Sequence, residues 1–215
     1  MQKKAVIFDM DGVIIDSQPL YHEFDIRMLK QFGHPATKET VIPYSGLTSV
    51  DRMTKYKKDF GLSDSVEELV KMSIDSIKEV FQTHDIAPID GIPELLSYVE
   101  NAGMFIGVAS STSHELIELI LKRLDVLHYF EKIVSGEDVK EGKPAPDVYL
   151  KAAEVFGVLP HECVAIEDSL MGMRSAKAAG FTCIAYRNSY TQDYSCADYV
   201  VDCFSEIVHI LQKSM

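Results

Sequence analysis

Between residues 93 and 201 the chain alternates short apolar runs with amphipathic stretches of helical length, and this rhythm restricts the fold more than any other feature. Residues 104–109, 132–135, 163–166 and 182–186 read as strands, with a short last one at 199–201. Helices are expected at 93–101, 115–124, 147–156, 171–179 and 204–211, and Gly103, Gly157 and Gly180 close three of them. Parallel strands need a crossover between them, usually a helix. The reading is an α/β fold, a parallel sheet with helices on both faces. Five short apolar strands and their helices can bury a sizeable core in a chain of 215 residues.

The rhythm starts earlier, at Ala5-Val6-Ile7-Phe8, and then breaks. This apolar run reads as a buried parallel strand. It leads straight into Asp9-Met10-Asp11-Gly12. Residues i and i+2 of a strand point to one side, so the two aspartates begin together, and a turn at Gly12 can separate them. Unpaired, they would repel, which calls for a cation, a shared proton or both. After them no strand is evident until residue 86. Pro19 suits the first turn of a helix with apolar positions Leu20, Phe24, Met28, Leu29 and Phe32. A second helix is expected at 50–60. A third, capped by Asp64 or Ser65, carries Leu69, Ile77, Val80 and Phe81. One strand followed by a long helical stretch reads as a helical domain, 17–86, inserted into a core made of 1–16 and 87–215.

Composition excludes some functions. A net charge of −12 is wrong for a nucleic-acid surface, which shows a basic stripe. It also means that an anionic substrate has to be drawn in by local cations or main-chain amides. Cys163, Cys183, Cys196 and Cys203 match no common zinc spacing, and the first two sit in apolar runs as small core residues. A reducing cytoplasm without disulfides is expected. The apolar run after Lys3 and Lys4 stops at Asp9, too short for a signal peptide, and no run approaches membrane-spanning length. The expected partner is a small molecule, with no nucleic acid and no membrane, and a monomer is the default.

Polar groups recur at the carboxyl ends of the strands, where open α/β sheets bind ligands. Asp9 and Asp11 end the first, and Ser110, Ser111 and Thr112 the second. Lys143 follows the third across a loop, and Glu167 and Asp168 end the fourth. Carboxylates at Asp9 and Asp168, with water and a main-chain carbonyl, suit a hard octahedral cation such as magnesium. A serine hydroxyl and turn amides suit phosphate oxygens. A lysine can neutralise both a phosphoryl group and an aspartate nucleophile. A carboxylate can attack phosphorus, and a second can protonate the leaving alcohol and then activate water. Each cluster alone could be a turn, a helix cap or a solvated loop, but four in this order, each after its strand, favour a functional site.

The chain resembles the haloacid dehalogenase-like hydrolase superfamily along its whole length. Phe8-Asp9-Met10-Asp11-Gly12-Val13 is similar to the first motif of that superfamily, Ala109-Ser110-Ser111 to the second, Gly142-Lys143-Pro144-Ala145-Pro146-Asp147 to the third and Ile166-Glu167-Asp168-Ser169 to the fourth. The helical insert resembles the cap of the branch holding β-phosphoglucomutase and small sugar-phosphate phosphatases. The resemblance implies a Rossmann-like core, a cap that opens and closes, and Mg2+ as cofactor. It implies Asp9 as nucleophile and metal ligand, and Asp11 as general acid/base binding the metal through its carbonyl. Ser110, Ser111 and Lys143 would hold phosphate, with the Asp11 and Ser111 amides assisting. Asp168 would bind the metal, with Glu167 as a ligand or as an acceptor behind it. Asp9 thus gains a metal partner in Asp168 and a cation in Lys143, whereas Asp11 has no comparable partner and its side chain can turn toward the cap and the leaving group. Dehalogenases and phosphonatases of the family lack the second aspartate, so phosphate-ester chemistry is expected.

Within that branch the sequence favours a phosphatase of small phosphorylated metabolites, sugar phosphates first, over a hexose-phosphate mutase. Tyr21-His22 resembles the cap histidine of the mutases with one extra residue before it, and Tyr44-Ser45-Gly46-Leu47-Thr48 resembles their specificity loop. Where the mutase has an arginine for the second phosphate this chain has Ser49, and Ser73 falls near the mutase's cap lysine. Arg52 is expected as a solvated helix residue, with a helix shift that brings it to the phosphate as the alternative. His22, Gly46, Thr48, Arg52 and His114 are the candidate substrate residues. A catalytically retired scaffold is the reading outside enzymes, and the presence of Asp9, Asp11, Lys143 and Asp168 argues against it.

Overall fold

The computed structural model describes residues 3–45, 47–188, 191 and 193–214. The chain divides into two compact units, Met1–Asp16 with Ala87–Met215, and Ser17–Ile86. Strand β1 (Ala5–Phe8) opens the first unit and is buried at every position. The second unit follows. Its helix α1 (Gln18–Gln31) carries Pro19 in its first turn and buries His22, Phe24, Asp25, Met28 and Leu29. A short helix α2 (Lys38–Val41) and a 3-10 turn (Ile42–Tyr44) come next, neither foreseen from the sequence because both are shorter than the helical period can reveal. Helix α3 (Ser49–Phe60) starts at the Thr48 cap and stops at Gly61, which takes the left-handed conformation. Helix α4 (Val66–Thr83) is capped by Ser65, whose hydroxyl accepts from the Glu68 N–H while the Glu68 carboxylate accepts from the Ser65 N–H.

The chain then returns to the first unit, where strands and helices alternate. They are α5 (Ile92–Asn101), β2 (Phe105–Ser110), α6 (His114–Arg123), β3 (Lys132–Ser135), α7 (Asp147–Phe156), β4 (Cys163–Glu167), α8 (Leu170–Ala178), β5 (Thr182–Tyr186), β6 (Tyr199–Val201) and α9 (Phe204–Ser214). The six strands form one parallel sheet in the order β3-β2-β1-β4-β5-β6. Ile7, Ala109, Val134 and Ala165 of the sheet bury against Val148, Tyr149, Ala152, Met173 and Ala176 of α7 and α8. This is a Rossmann-like α/β core. No described helix is long and apolar enough to cross a membrane.

The strand order places the site. The chain moves from β1 outward through β2 and β3, then returns across the sheet to β4. The reversal therefore lies between β1 and β4, and ligands of open α/β sheets bind at such a point, outside the strand carboxyl ends. Phe8 pairs with Val108 on one side and with Ile166 on the other. The residues just after them, Asp9, Ala109 and Glu167, are thereby brought level at one rim.

Candidate active site

Asp9 leaves β1 with its N–H still donating to the Ile166 carbonyl, 2.9 Å away, so its backbone stays in the sheet. The chain then tightens. The Ile14 and Ile15 amides both donate to the Met10 carbonyl, and Gly12 takes φ +83. At that angle a side chain is strained, and a Cβ on Gly12 would fall on the Asp168 carboxylate. Glycine is what allows the loop after β1 to approach the loop after β4.

Lys143 lies at the centre of the acidic cluster. Its Nζ donates to Asp9 Oδ1 at 2.8 Å, to the Ala109 carbonyl at 2.9 Å and to Glu167 Oε1 at 2.6 Å. It also sits 5.1 Å from the centre of the Tyr149 ring. All three of its ammonium hydrogens have an acceptor. Burial alone would lower its pKa, but Asp9 and Glu167 outweigh burial and hold it above the usual value. Both Glu167 oxygens accept from protein donors. Oε1 takes the Tyr149 hydroxyl at 2.6 Å as well as Lys143, and Oε2 takes the Asp168 N–H at 3.2 Å and the Ser169 hydroxyl at 3.3 Å. Glu167 is thus saturated by the chain itself and suits the part of an acceptor that fixes Lys143. A Cβ on Gly172 would strike its carboxylate, so α8 approaches it as closely as a glycine permits.

Asp168 Oδ2 accepts from Asn188 Nδ2 at 2.6 Å. Ligand atoms of Asp9, Glu167 and Asp168 all lie within 4.8 Å of one another, and all three residues are buried. Burial, and then the neighbouring carboxylates, push both Asp9 and Asp168 above the ordinary carboxylate range, while Lys143 pulls against that rise. Three buried carboxylates share one lysine. A further cation with a preference for oxygen ligands answers that imbalance, and the donors fit magnesium.

Asp11 faces elsewhere. Its Oδ2 accepts from the Thr112 hydroxyl at 2.9 Å, and Thr112 is 101 residues further along the chain. Asp11 therefore points its Oδ2 at Thr112, while its charge still adds to the rise of the Asp9 and Asp168 carboxyls. Ser110 is buried, and its Oγ accepts from the Thr112 N–H at 3.1 Å, whereas Ser111 is exposed beside it. His114, at the start of α6, has Nε2 2.7 Å from Asp138 Oδ2.

The insert residues tell a different story. His22 is buried, with Nε2 2.7 Å from the Ser45 hydroxyl. Thr48 caps α3, its hydroxyl accepting from the Asp51 N–H and donating to Asp51 Oδ2. Gly46 lies outside the described residues. Arg52 corrects the sequence reading. It is 6 % exposed, not solvated, because it lies on the buried face of α3 with Met53 and Tyr56. Its Nε is 3.6 Å from Asp25 Oδ1, its Nη2 donates to the Ser73 hydroxyl at 3.3 Å, and its guanidinium sits 5.4 Å from the Tyr21 ring centre. Tyr56 donates its hydroxyl to Asp25 Oδ2 at 2.9 Å. Tyr149, Asn188 and Asp138 were the site neighbours that sequence reasoning did not single out. Thr112 was read as the third member of the hydroxyl run after β2, and the structure adds its bond to Asp11.

Comparison with known proteins agrees with this geometry. Residues 6–186 match the family model described as haloacid dehalogenase-like hydrolase. The "Phosphorylated carbohydrates phosphatase" of Thermotoga maritima is 34 % identical over 177 residues, 82 % of each chain. "Hexitol phosphatase B" of Escherichia coli K12 is 32 % identical over 178 residues, covering 81 % of this chain and 79 % of that one. Among solved structures, CbbY from Rhodobacter sphaeroides in complex with phosphate superposes with a TM-score of 0.87 at 25 % identity, covering 96 % of both chains. The strand order, the acidic rim around Lys143 and these matches together place the chain in the haloacid dehalogenase-like hydrolase family, alongside curated relatives that are phosphatases.

Proposed function

We propose that this phosphatase is magnesium-dependent and hydrolyses small phosphorylated carbohydrates through a phosphoryl group carried on Asp9. The observation that carries the reading is the divergence of the two aspartates. Asp9 is held by Lys143 inside the acidic cluster, and Asp11 is turned to Thr112. Two carboxylates at one strand end thus have two environments, which is what a nucleophile and an acid require.

In the first step an Asp9 oxygen attacks phosphorus and the ester P–O bond breaks. The departing alcohol oxygen takes its proton from the Asp11 carboxyl. In the second step water gives a proton to Asp11 and its oxygen attacks phosphorus. The bond between phosphorus and Asp9 breaks, and inorganic phosphate leaves. Ser110 and the Ser111 amide hold the phosphoryl oxygens, and Lys143, whose three hydrogens go to Asp9, Ala109 and Glu167, supplies positive charge beside them. Lys143 also offsets the charge of Asp9 so that an anionic substrate can approach a protein of net charge −12. Asp9, Asp168 and the Asp11 carbonyl would hold magnesium, which supplies positive charge to the phosphoryl oxygens.

Arg52 bears on the mutase alternative. A mutase binds a bisphosphate in two orientations and needs a second cationic grip. The Arg52 guanidinium is already engaged by Asp25 and Ser73 inside the insert, which supports a hydrolase acting on one phosphate. The test is phosphate release across a panel of sugar and hexitol phosphates, with and without a bisphosphate primer. Turnover is expected with magnesium and is expected to be lost in Asp9→Asn. A wild type that releases no phosphate, or full activity in D9N, overturns the reading.

A further inference from the structure

The loop after β2 is built to present one hydroxyl to Asp11. Ser110 and Ser135 end neighbouring strands in register. The Thr112 N–H donates to Ser110 Oγ at 3.1 Å, and the Thr112 carbonyl accepts from Ser135 Oγ at 2.7 Å. Ser135 is itself fully buried and tied down. Its Oγ accepts from the Glu137 N–H at 3.1 Å, and its own N–H donates to Asp138 Oδ2 at 2.9 Å. Thr112 is therefore clamped through both its amide and its carbonyl. A β-branched side chain on a fixed backbone has little rotamer freedom, so the clamp also fixes the direction of the Thr112 hydroxyl. That hydroxyl meets Asp11 Oδ2 at 2.9 Å.

We propose that Thr112 is the positioning residue for Asp11. It sets the orientation of the carboxyl that passes a proton to the leaving oxygen, and the β3 end, through Ser135, holds Thr112 in place. The inference rests on the acid role given to Asp11 above. Misplacing a proton donor slows attack on esters whose leaving oxygen needs the proton, and leaves binding, and attack on esters whose leaving group needs none, largely intact. A hydroxyl that merely ties two loops together would, on removal, slow every substrate alike.

The experiment compares kcat/KM for two leaving groups in the magnesium-loaded enzyme. One substrate is the fastest alkyl phosphate of the panel, whose alcohol must be protonated to leave. The other is p-nitrophenyl phosphate, whose phenolate leaves without a proton. Asp11→Asn is expected to lose far more on the alkyl ester than on the aryl ester. If D11N shows no such split, the acid role itself fails. Given that split, Thr112→Val, which keeps the shape and deletes the donor, is expected to lose about 10- to 100-fold on the alkyl ester and less than about threefold on the aryl one. Thr112→Ser is expected to restore most of the loss. Ser135→Ala, which loosens the Thr112 carbonyl, is expected to show the same pattern in smaller measure, and it carries the test if T112V does not fold. Equal losses on both esters, or none, in T112V (or in S135A where that replaces it) overturn the proposal and leave the role of Asp11 standing.

Discussion

Replacing Arg52 by Met tests whether this arginine is structural. The substitution keeps most of the apolar length and removes the charge. Asp25, 2 % exposed, then keeps the Tyr56 hydroxyl but loses its cation. In the wild type, burial already holds the Asp25 carboxyl above its ordinary value of 3.8, with Arg52 and Tyr56 opposing that rise. Without Arg52 the value climbs further, and the folded variant binds a proton that the unfolded chain releases. Taking up that proton limits the damage. At 1.36 kcal/mol per pH unit, its cost is about 4.4 kcal/mol at pH 7 and about 1.6 kcal/mol at pH 5. Part of this is already present in the wild type, so a loss of about 3 kcal/mol is expected at pH 7, in line with broken buried pairs. For a chain of this size that lowers Tm by roughly 6–12 °C. The sign follows from the raised carboxyl. Its folded form holds the proton more tightly than its unfolded form, so the gap between variant and wild type narrows as pH falls, to roughly 2–4 °C at pH 5. Calorimetric melts of both proteins at the two pH values decide it. The double variant R52M/D25L, which removes both charges, should melt above R52M. A variant that melts with the wild type at pH 7, or that loses as much at pH 5 as at pH 7, refutes the buried-pair account and returns Arg52 to the list of groups free to meet a ligand.

Lys143→Met should cut kcat by about 10²–10³-fold, because the cation beside the phosphoryl group is lost. Steady-state rates on the fastest panel substrate check this, and an unimpaired variant would remove Lys143 from the mechanism. Chelation should stop turnover and lower Tm, and magnesium at about 100 times its Kd should return roughly 2.7 kcal/mol of stability. Asp168→Asn should abolish that thermal response, and a response that persists in the variant would place the metal elsewhere.

The strand pattern was legible because each core strand is short, apolar and bounded by turn residues, and the third and fifth strands have the limits read from the sequence, Lys132–Ser135 and Thr182–Tyr186. The rim residues were legible for the same reason. A group placed just after a parallel strand has only one edge of the sheet to occupy, so Asp9, Ser110 and Glu167 had to lie close together. Side chains that reach the rim from a helix or a long loop carry no such marker. Tyr149 looks like an ordinary apolar position of α7, and Asn188 lies in an irregular segment where no period applies. Arg52 was misread although a signal existed. Asp25 falls on the buried stripe of α1 beside Phe24, Met28 and Leu29, and Arg52 falls on that of α3 beside Met53 and Tyr56. Opposite charges on the inward stripes of two helices of one small unit are a pair in waiting, since neither can be left alone in an apolar layer.

The same reasoning explains how neighbours as alike as Asp9 and Asp11 acquire different chemistry. Side chains two apart in a strand share a face, and a longer β1 would have kept the Asp11 side chain on the face of Asp9, whose carboxyl the Asp11 charge already helps to raise. Instead β1 ends at Phe8, and the turn at Gly12 follows at once. Asp9, with its N–H still bonded to β4, keeps its side chain among Lys143, Glu167 and Asp168. Asp11, already in the turn, swings to the hydroxyl that β2 and β3 hold out to it. The placement of one glycine after a four-residue strand thus separates a buried, lysine-paired carboxylate from a partly exposed one. In the mechanism proposed above, that separation, more than the identity of any single residue, would let one aspartate attack while the other carries the proton.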